Sequence, residues 1–350
     1  MQNESLEKTY VPGLGSSVAF DRSKDFLGRG TVGEVFCVRT LQRGNELNDP
    51  KRYALKIFLD HGERPHFRRE CEVLEALALV PHRNIVLFLH YWTADSFQYI
   101  LFPLATGDLY TFLRRSDPQP QLSEQYVQWV VRQLQGLCDA LKYIHNHTMP
   151  RLSSDEGLTM GRIGFHHDIK PVNILLFEGD DPAGPIWKLS DFGSGLVSEF
   201  KDSDHESIYN SKPSTGDPIY TAPEFALEGR VSRPKDVWSL GCIYLEVLLW
   251  MSHPTRTTLD DFQQERFNLP GSQTARKPMC WYQDYDGVVY IHPVVDARME
   301  SLRDFCEANG PLEDTRLLVS RMLVVSSKTR ATAKEITSGF DIILGACAEI

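Results

Sequence analysis

The sequence predicts an α+β fold built as two lobes. Three observations carry this: short strand-like runs fill residues 26–104, helical periodicity takes over after Thr106, and no internal repeat or low-complexity tract is visible. Strands segregated ahead of helices exclude the alternating pattern of a doubly wound sheet and imply a cleft between a small lobe and a large one.

In the first lobe, "LGRG", "GEVFCVRT", "RYALKIFL" and "SFQYILFPL" are β-branched and aromatic runs broken by glycine, proline or polar loops, the pattern of a small antiparallel sheet. One helix interrupts it near Phe67–Leu79, where Phe67, Cys71, Leu74 and Leu77 or Ala78 recur at helical spacing. In the second lobe Ser123 caps a helix of about six turns whose apolar face is Val127, Val130, Val131, Leu134, Leu137, Leu141 and Ile144. A second, buried helix runs from Pro234, suited to a first turn, through Leu249. "LLVSRML" near Leu317–Leu323 and "TAKEITSGF" are helical or loop. The polar, glycine-containing residues 1–20 are expected to form a loose arm, leaving a folded body over 21–348 with lobes 21–104 and 105–348.

Composition narrows the function. A chain of 350 residues with 42% hydrophobic and 24% charged residues is an ordinary globular protein with a large core. A net charge of −10 argues against a general nucleic-acid or anionic-membrane binder. Seven scattered cysteines, odd in number and never C-x-x-C, fit neither a disulfide framework nor a zinc ribbon, and favour a reducing compartment. No secretory signal opens the sequence, and the longest apolar run, Val237–Met251, is too short to cross a membrane and contains Glu246. The expectation is an intracellular protein, cytoplasmic or nuclear.

Three stretches carry chemistry. In "LGRGTVGEV", Gly28, Gly30 and Gly33 form a G-x-G-x-x-G followed by another strand rather than a helix, so the motif reads as a hairpin whose backbone amides can lie over phosphates. An ordinary flexible hairpin is the competing reading. In "YALKIF", Lys56 is the one charge in an alternating apolar strand and calls for an anionic partner, Glu70 first and Glu72 next. "GFHHDIKPVNILL" packs His166, His167, Asp168, Lys170 and Asn173 ahead of an apolar run. Adjacent loop histidines point apart and have no third soft ligand nearby, which disfavours a metal site there.

With "DFG" at 191–193, "APE" at 222–224, "DVWSLGC" from Asp236 and "KTRATAKEI" around Arg330, these stretches follow the order seen in eukaryotic-type protein kinase catalytic domains, and the chain resembles that family over about residues 20–345. The resemblance implies a bilobal protein-kinase-like fold, with ATP and Mg2+ as cofactors and a protein as substrate. It makes Asp168 the base that orients the substrate hydroxyl, Asn173 and Asp191 the magnesium ligands, and Lys56 with Glu70 the pair that steadies ATP phosphates. Lys170 implies contact with the transferred phosphate and matches the serine/threonine form of the loop. At the hinge, Phe102 is the gatekeeper, the Pro103 carbonyl and the Ala105 N–H meet adenine, and Val35 and Ala54 cover its ring. His166 becomes a packed scaffold residue, Asp236 the anchor of the catalytic loop, and Glu224 the partner of Arg330.

Four departures qualify this. His167 stands where the family has an arginine that pairs with an activation-segment phosphate, which argues that activity does not strictly need such a phosphate. Asp217 replaces a threonine that links the catalytic aspartate and lysine. Residues 146–164 read as a polar surface insertion, and Pro254–Pro293 matches no family motif. Ser207, Tyr209, Ser211, Ser214, Thr215 and Thr221 are candidate acceptors in the activation segment, though unmodified loop residues are as good a reading of each. Besides an active serine/threonine kinase, a pseudokinase-like nucleotide-binding scaffold and a kinase-fold enzyme acting on a small molecule stay open. The regulatory partner is unspecified.

Overall fold

In a computed structural model the chain forms two compact units, Met1–Pro81 with Val86–Thr106, and His82–Ile85 with Gly107–Ile350. The structure describes residues 6–30, 32–41, 51–58, 65–94, 96–114, 120, 122–146, 148–152, 158–194, 196–199, 209–210, 218–228, 230–231, 233–253, 258–268, 281–285 and 287–348.

The first unit is a curled antiparallel sheet with one helix. Its strands are β1 (Glu7–Val11), β2 (Ser16–Phe20), β3 (Phe26–Arg29), β4 (Gly33–Thr40), β5 (Arg52–Phe58), β6 (His90–Ala94) and β7 (Phe97–Pro103), with helix α1 (Pro65–Ala78) after β5. They pair in the order β1-β2-β4-β5-β7-β6, and β3 also pairs with β4. One face is a core of Val18, Phe20, Phe36, Val38, Leu55, Ile57, Tyr99 and Leu101, closed by Trp92 and Val11. Gly33 is required where it stands: a Cβ there would lie 2.6 Å from the Ile57 carbonyl oxygen across the β4–β5 pair.

Residues 7–20 correct the expected loose arm, because they are two sheet strands. β1 alternates half-buried and exposed positions and only Val11 is fully covered, so its sequence has almost no apolar signal. The turn between β1 and β2 is closed by Gly15 in the left-handed region at φ 61°.

The second unit begins with β8 (Gly107–Asp108), α2 (Leu109–Arg114) and α3 (Glu124–Asn146). As expected, Ser123 Oγ caps α3 by accepting from the Tyr126 N–H at 3.3 Å, and all seven residues of its predicted apolar face are buried. Next come β9 (Thr148–Leu152), β10 (Leu158–Phe165), β11 (Ile174–Phe177), β12 (Ile186–Leu189), β13 (Leu196–Glu199) and β14 (Tyr209–Asn210). They are followed by α4 (Pro223–Glu228), β15 (Arg230–Val231), α5 (Arg233–Ser252), α6 (Thr258–Asn268), the hairpin β16 (Tyr282–Tyr285) and β17 (Val288–Ile291), and helices α7 (Pro293–Ser301), α8 (Arg303–Glu307), α9 (Pro311–Met322) and α10 (Ala333–Ala348). Helix α5 is buried all round from Lys235 to Met251, and α3 and α9 pack on it. No helix among the described residues is long and apolar enough to cross a membrane.

The insertion 146–164 contains two strands that its composition does not announce. β9 and β10 form a hairpin, and β10 also pairs with β13, from Gly161 opposite Glu199 to Phe165 opposite Leu196. The insertion therefore adds strands beside the segment that follows "DFG", instead of forming a plain surface loop. Asp217, with Ser207, Ser211, Ser214 and Thr215, lies outside the described residues, and Thr221 is buried.

Candidate active site

The candidate residues fall into two groups, one in each unit. In the first, β4 pairs Val35 with Lys56 of β5, and β5 pairs Lys56 with Ile100 and Ala54 with Phe102 of β7. Residues directly opposite, or two apart on one strand, share a sheet face. Val35, Ala54, Lys56 and Phe102 therefore lie on the face opposite the Leu55–Leu101 core.

Lys56 meets Glu70 of α1 in a two-pronged ion pair, Nζ to Oε1 at 2.8 Å and to Oε2 at 2.7 Å, with both side chains buried. Glu72 is exposed, which settles the choice between the two carboxylates. Gly28 has open space where a Cβ would stand, so a ligand can approach the backbone there. Pro103 pairs opposite Tyr53, and the Ala105 N–H makes no hydrogen bond among the described residues.

The second group hangs on Asp236, in the first turn of α5. Its Oδ2 accepts from the His166 N–H at 2.8 Å and its Oδ1 from the His167 N–H at 3.0 Å, while His145 Nε2 lies 3.1 Å from Oδ2. Burial opposes its charge, but the hydrogen bond with His145 and the histidines around it hold the Asp236 carboxyl well below the usual carboxylate range. Burial likewise pushes His145 below its ordinary value. The result is an ionised carboxylate that fixes two consecutive loop amides.

His166 is a packed residue, as expected: fully buried, its Nε2 sits 2.9 Å from the Ser190 carbonyl oxygen and its ring lies 4.8 Å from that of Phe192. Among the described residues no group of three or more His, Cys, Asp or Glu is placed to hold a metal alone. Asp168 is clamped on one side only. Its Oδ2 lies 2.9 Å from Lys170 Nζ and accepts from Asn173 Nδ2 at 3.0 Å; its Oδ1 is buried and has no hydrogen-bond partner among the described residues. Asn173 Nδ2 also donates to the Asp168 carbonyl at 2.8 Å, so the amide is spent through its nitrogen and its oxygen is left for a cation. Asp191, at φ 61°, holds the strained left-handed backbone that functional residues tolerate. An amide oxygen and a carboxylate are hard donors, a set that fits Mg2+ completed by phosphate oxygens.

The protein kinase domain family matches residues 22–339. The chain belongs to that family. A protein kinase domain implies ATP as substrate and typically Mg2+. This kinase domain is 29% identical over 235 residues to the membrane-associated tyrosine- and threonine-specific cdc2-inhibitory kinase of Drosophila melanogaster, covering 67% of this chain and 37% of that protein. It is 29% identical over 268 residues to the probable dual specificity protein kinase madd-3 of Caenorhabditis elegans, covering 70% and 26%. With serine/threonine-protein kinase 36 of Mus musculus it shares 29% identity over 227 residues, covering 64% and 14%. The chain thus spans at most 37% of the length of these relatives.

Sequence reasoning missed two residues of this kinase site. His145, in the last turn of α3, supports Asp236; Lys235 is buried against His167, with Nζ 2.7 Å from its carbonyl oxygen and 2.9 Å from its Nδ1. The available signal was a lysine in the first turn of a predominantly apolar helix, where a buried charge is costly.

Proposed function

We propose that this chain is an ATP-dependent protein kinase acting on serine or threonine hydroxyls of a protein substrate. The observation that carries the reading is Asp168: one carboxylate oxygen is fixed by Lys170 and Asn173, and the other is buried and unpaired among the described residues. A buried acceptor without a donor calls for one from outside, and a substrate hydroxyl supplies it.

Asp168 Oδ1 accepts that hydroxyl proton and aims the oxygen at the γ-phosphorus, while Lys170 meets the charge gathering on the transferred phosphoryl group. Lys56, held by Glu70, binds the phosphates of ATP under the backbone of Gly28, Gly30 and Gly33. Val35 and Ala54 cover adenine, with the Pro103 carbonyl and the Ala105 N–H as its hydrogen-bond partners. Asn173 and Asp191 hold Mg2+, which supplies charge neutralisation at the phosphates when bound. Transfer of this kind passes through a loose transition state, so positioning and charge carry the catalysis and these residue types suffice. The negative net charge weighs against nucleic-acid and anionic-membrane partners, and the absence of cysteine pairing among the described residues supports a reducing, cytoplasmic or nuclear setting.

The test is purified protein with ATP, Mg2+ and generic protein substrates, beside Asp168→Asn, followed by phosphoamino-acid analysis. Transfer to serine and threonine that falls by about 10² or more in the variant is expected. Nucleotide binding without transfer would mark a scaffold, and phosphotyrosine as the main product would overturn the hydroxyl assignment.

A further inference from the structure

Lys235 is buried to 2% exposure in the first turn of α5, next to Asp236. Nothing in ordinary stability favours a lysine there. Burial disfavours the ammonium, and the positive end of a helix repels it. Burial accordingly lowers its pKa to about 8, against the pull of Asp236, Asp168 and Glu224 acting through space. Among the described residues the ammonium makes no ion pair with a carboxylate; it lies over the Phe225 ring at 4.2 Å and donates to His167, to the carbonyl oxygen at 2.7 Å and toward Nδ1 at 2.9 Å.

His167 is the residue this arrangement serves. It sits at φ 78°, a left-handed conformation that a non-glycine residue adopts only when its surroundings impose it. Its N–H is held by Asp236 Oδ1 and its C=O by Lys235 Nζ, so two consecutive residues of α5 grip both sides of one loop residue. The rings of Phe165 and Phe225 stand T-shaped to its ring, with centroids 4.7 and 5.9 Å away. An ammonium donating to Nδ1 leaves the imidazole neutral, with its proton on Nε2.

We infer that Lys235 is a positioning residue of the catalytic loop: bound to the carbonyl oxygen and Nδ1 of His167, it fixes the left-handed residue that delivers Asp168. The inference rests on Asp168 being the base. A cation from α5 thereby reaches the loop from inside the unit, at the position where the family resemblance puts an outward-pairing arginine. Losing it releases the His167 carbonyl and lets Asp168 wander, which costs turnover and leaves nucleotide binding alone, because small misplacements of a reacting group are felt in rate.

The experiment compares wild type, Lys235→Met, His167→Leu, the double variant and Asp168→Asn in full-length protein, measuring kcat, KM for ATP and melting temperature. Lys235→Met is expected to lower kcat at least about tenfold with KM for ATP within about twofold, and the double variant to be no slower than the slower single, as for two residues acting as one unit. Folded Lys235→Met turning over within about twofold of wild type, or losses that multiply in the double variant, overturns the inference. If Lys235→Met does not fold, Lys235→Leu, which also lacks a donor, replaces it: kcat lowered at least about tenfold with KM for ATP within about twofold supports a positioning role, and any other outcome refutes it. Asp168→Asn separates the two readings, since activity surviving there removes the base assignment, not the contact with His167.

Discussion

Removing Arg330 should unfold the larger unit well before wild type does. All five guanidinium N–H groups are engaged: Nη1 with Glu224 Oε1 at 2.6 Å and the Pro234 carbonyl at 2.8 Å, Nη2 with Glu224 Oε2 at 2.9 Å and the Val325 carbonyl at 3.1 Å, and Nε with the Val324 carbonyl at 2.8 Å. The Arg330 side chain is 0% exposed and that of Glu224 8%. Arg330→Ala strands a buried carboxylate and three carbonyls at once, whereas Glu224→Ala leaves the guanidinium three acceptors. Breaking a buried pair from one side costs about 3–5 kcal/mol, with Arg330→Ala at the upper end and Glu224→Ala at the lower. For a unit of about 250 residues, at roughly 2 °C per kcal/mol, that is a melting point lower by about 6–10 °C. Differential scanning fluorimetry on both singles and the double variant reads it, and the double should fall short of the sum by about 1 kcal/mol or more because the two share one interaction. Both singles melting within about 2 °C of wild type would refute the reasoning.

Two further outcomes follow from the same contacts. His292 caps α7 by accepting from the Val294 N–H at 3.2 Å through Nδ1, while its Nε2 faces the Arg266 carbonyl oxygen at 3.1 Å. Burial, helped by the Arg266 charge, lowers its pKa from 6.5 to about 4. The unfolded chain therefore binds the proton more readily, so this stabilisation is complete above pH 6.5 and is lost as pH falls toward 4. Denaturation midpoints should show a loss of about 2 kcal/mol between pH 7 and 5 that His292→Asn, which keeps a capping oxygen, largely removes; an unchanged profile in the variant would assign the loss elsewhere. Because Lys235 already occupies His167 Nδ1, phosphatase-treated protein should keep its transfer rate within about twofold, and inactivation reversed by phosphorylating residues 194–217 would contradict this.

How much of this was legible in the sequence depends on where each residue's partner lies. Asp168, Lys170 and Asn173 interact with one another across five positions, so their spacing alone announces the clamp the structure contains. Lys56 and Glu70 are fourteen residues apart, yet a lone charge in a buried strand demands a partner, and only Glu70 faces inward from α1 while Glu72 is exposed. The strands β1, β2, β9 and β10 escaped because a polar, glycine-bearing sequence carries little strand signal of its own, and what makes them strands is the neighbour they pair with, not their own composition.

The two histidines show the limit most sharply. As residue types His166 and His167 are equivalent, and only the family resemblance tells them apart; in the structure one packs on Phe192 and the other is turned by a positive φ onto Lys235. What separates them is Asp236, about seventy positions on, which binds both amides. A backbone anchored at two successive N–H groups has one way to leave the second residue, and that way sends the two side chains apart. Residue types at 166–173 thus state what chemistry the loop can do, while the first turn of α5 decides in which direction it does it.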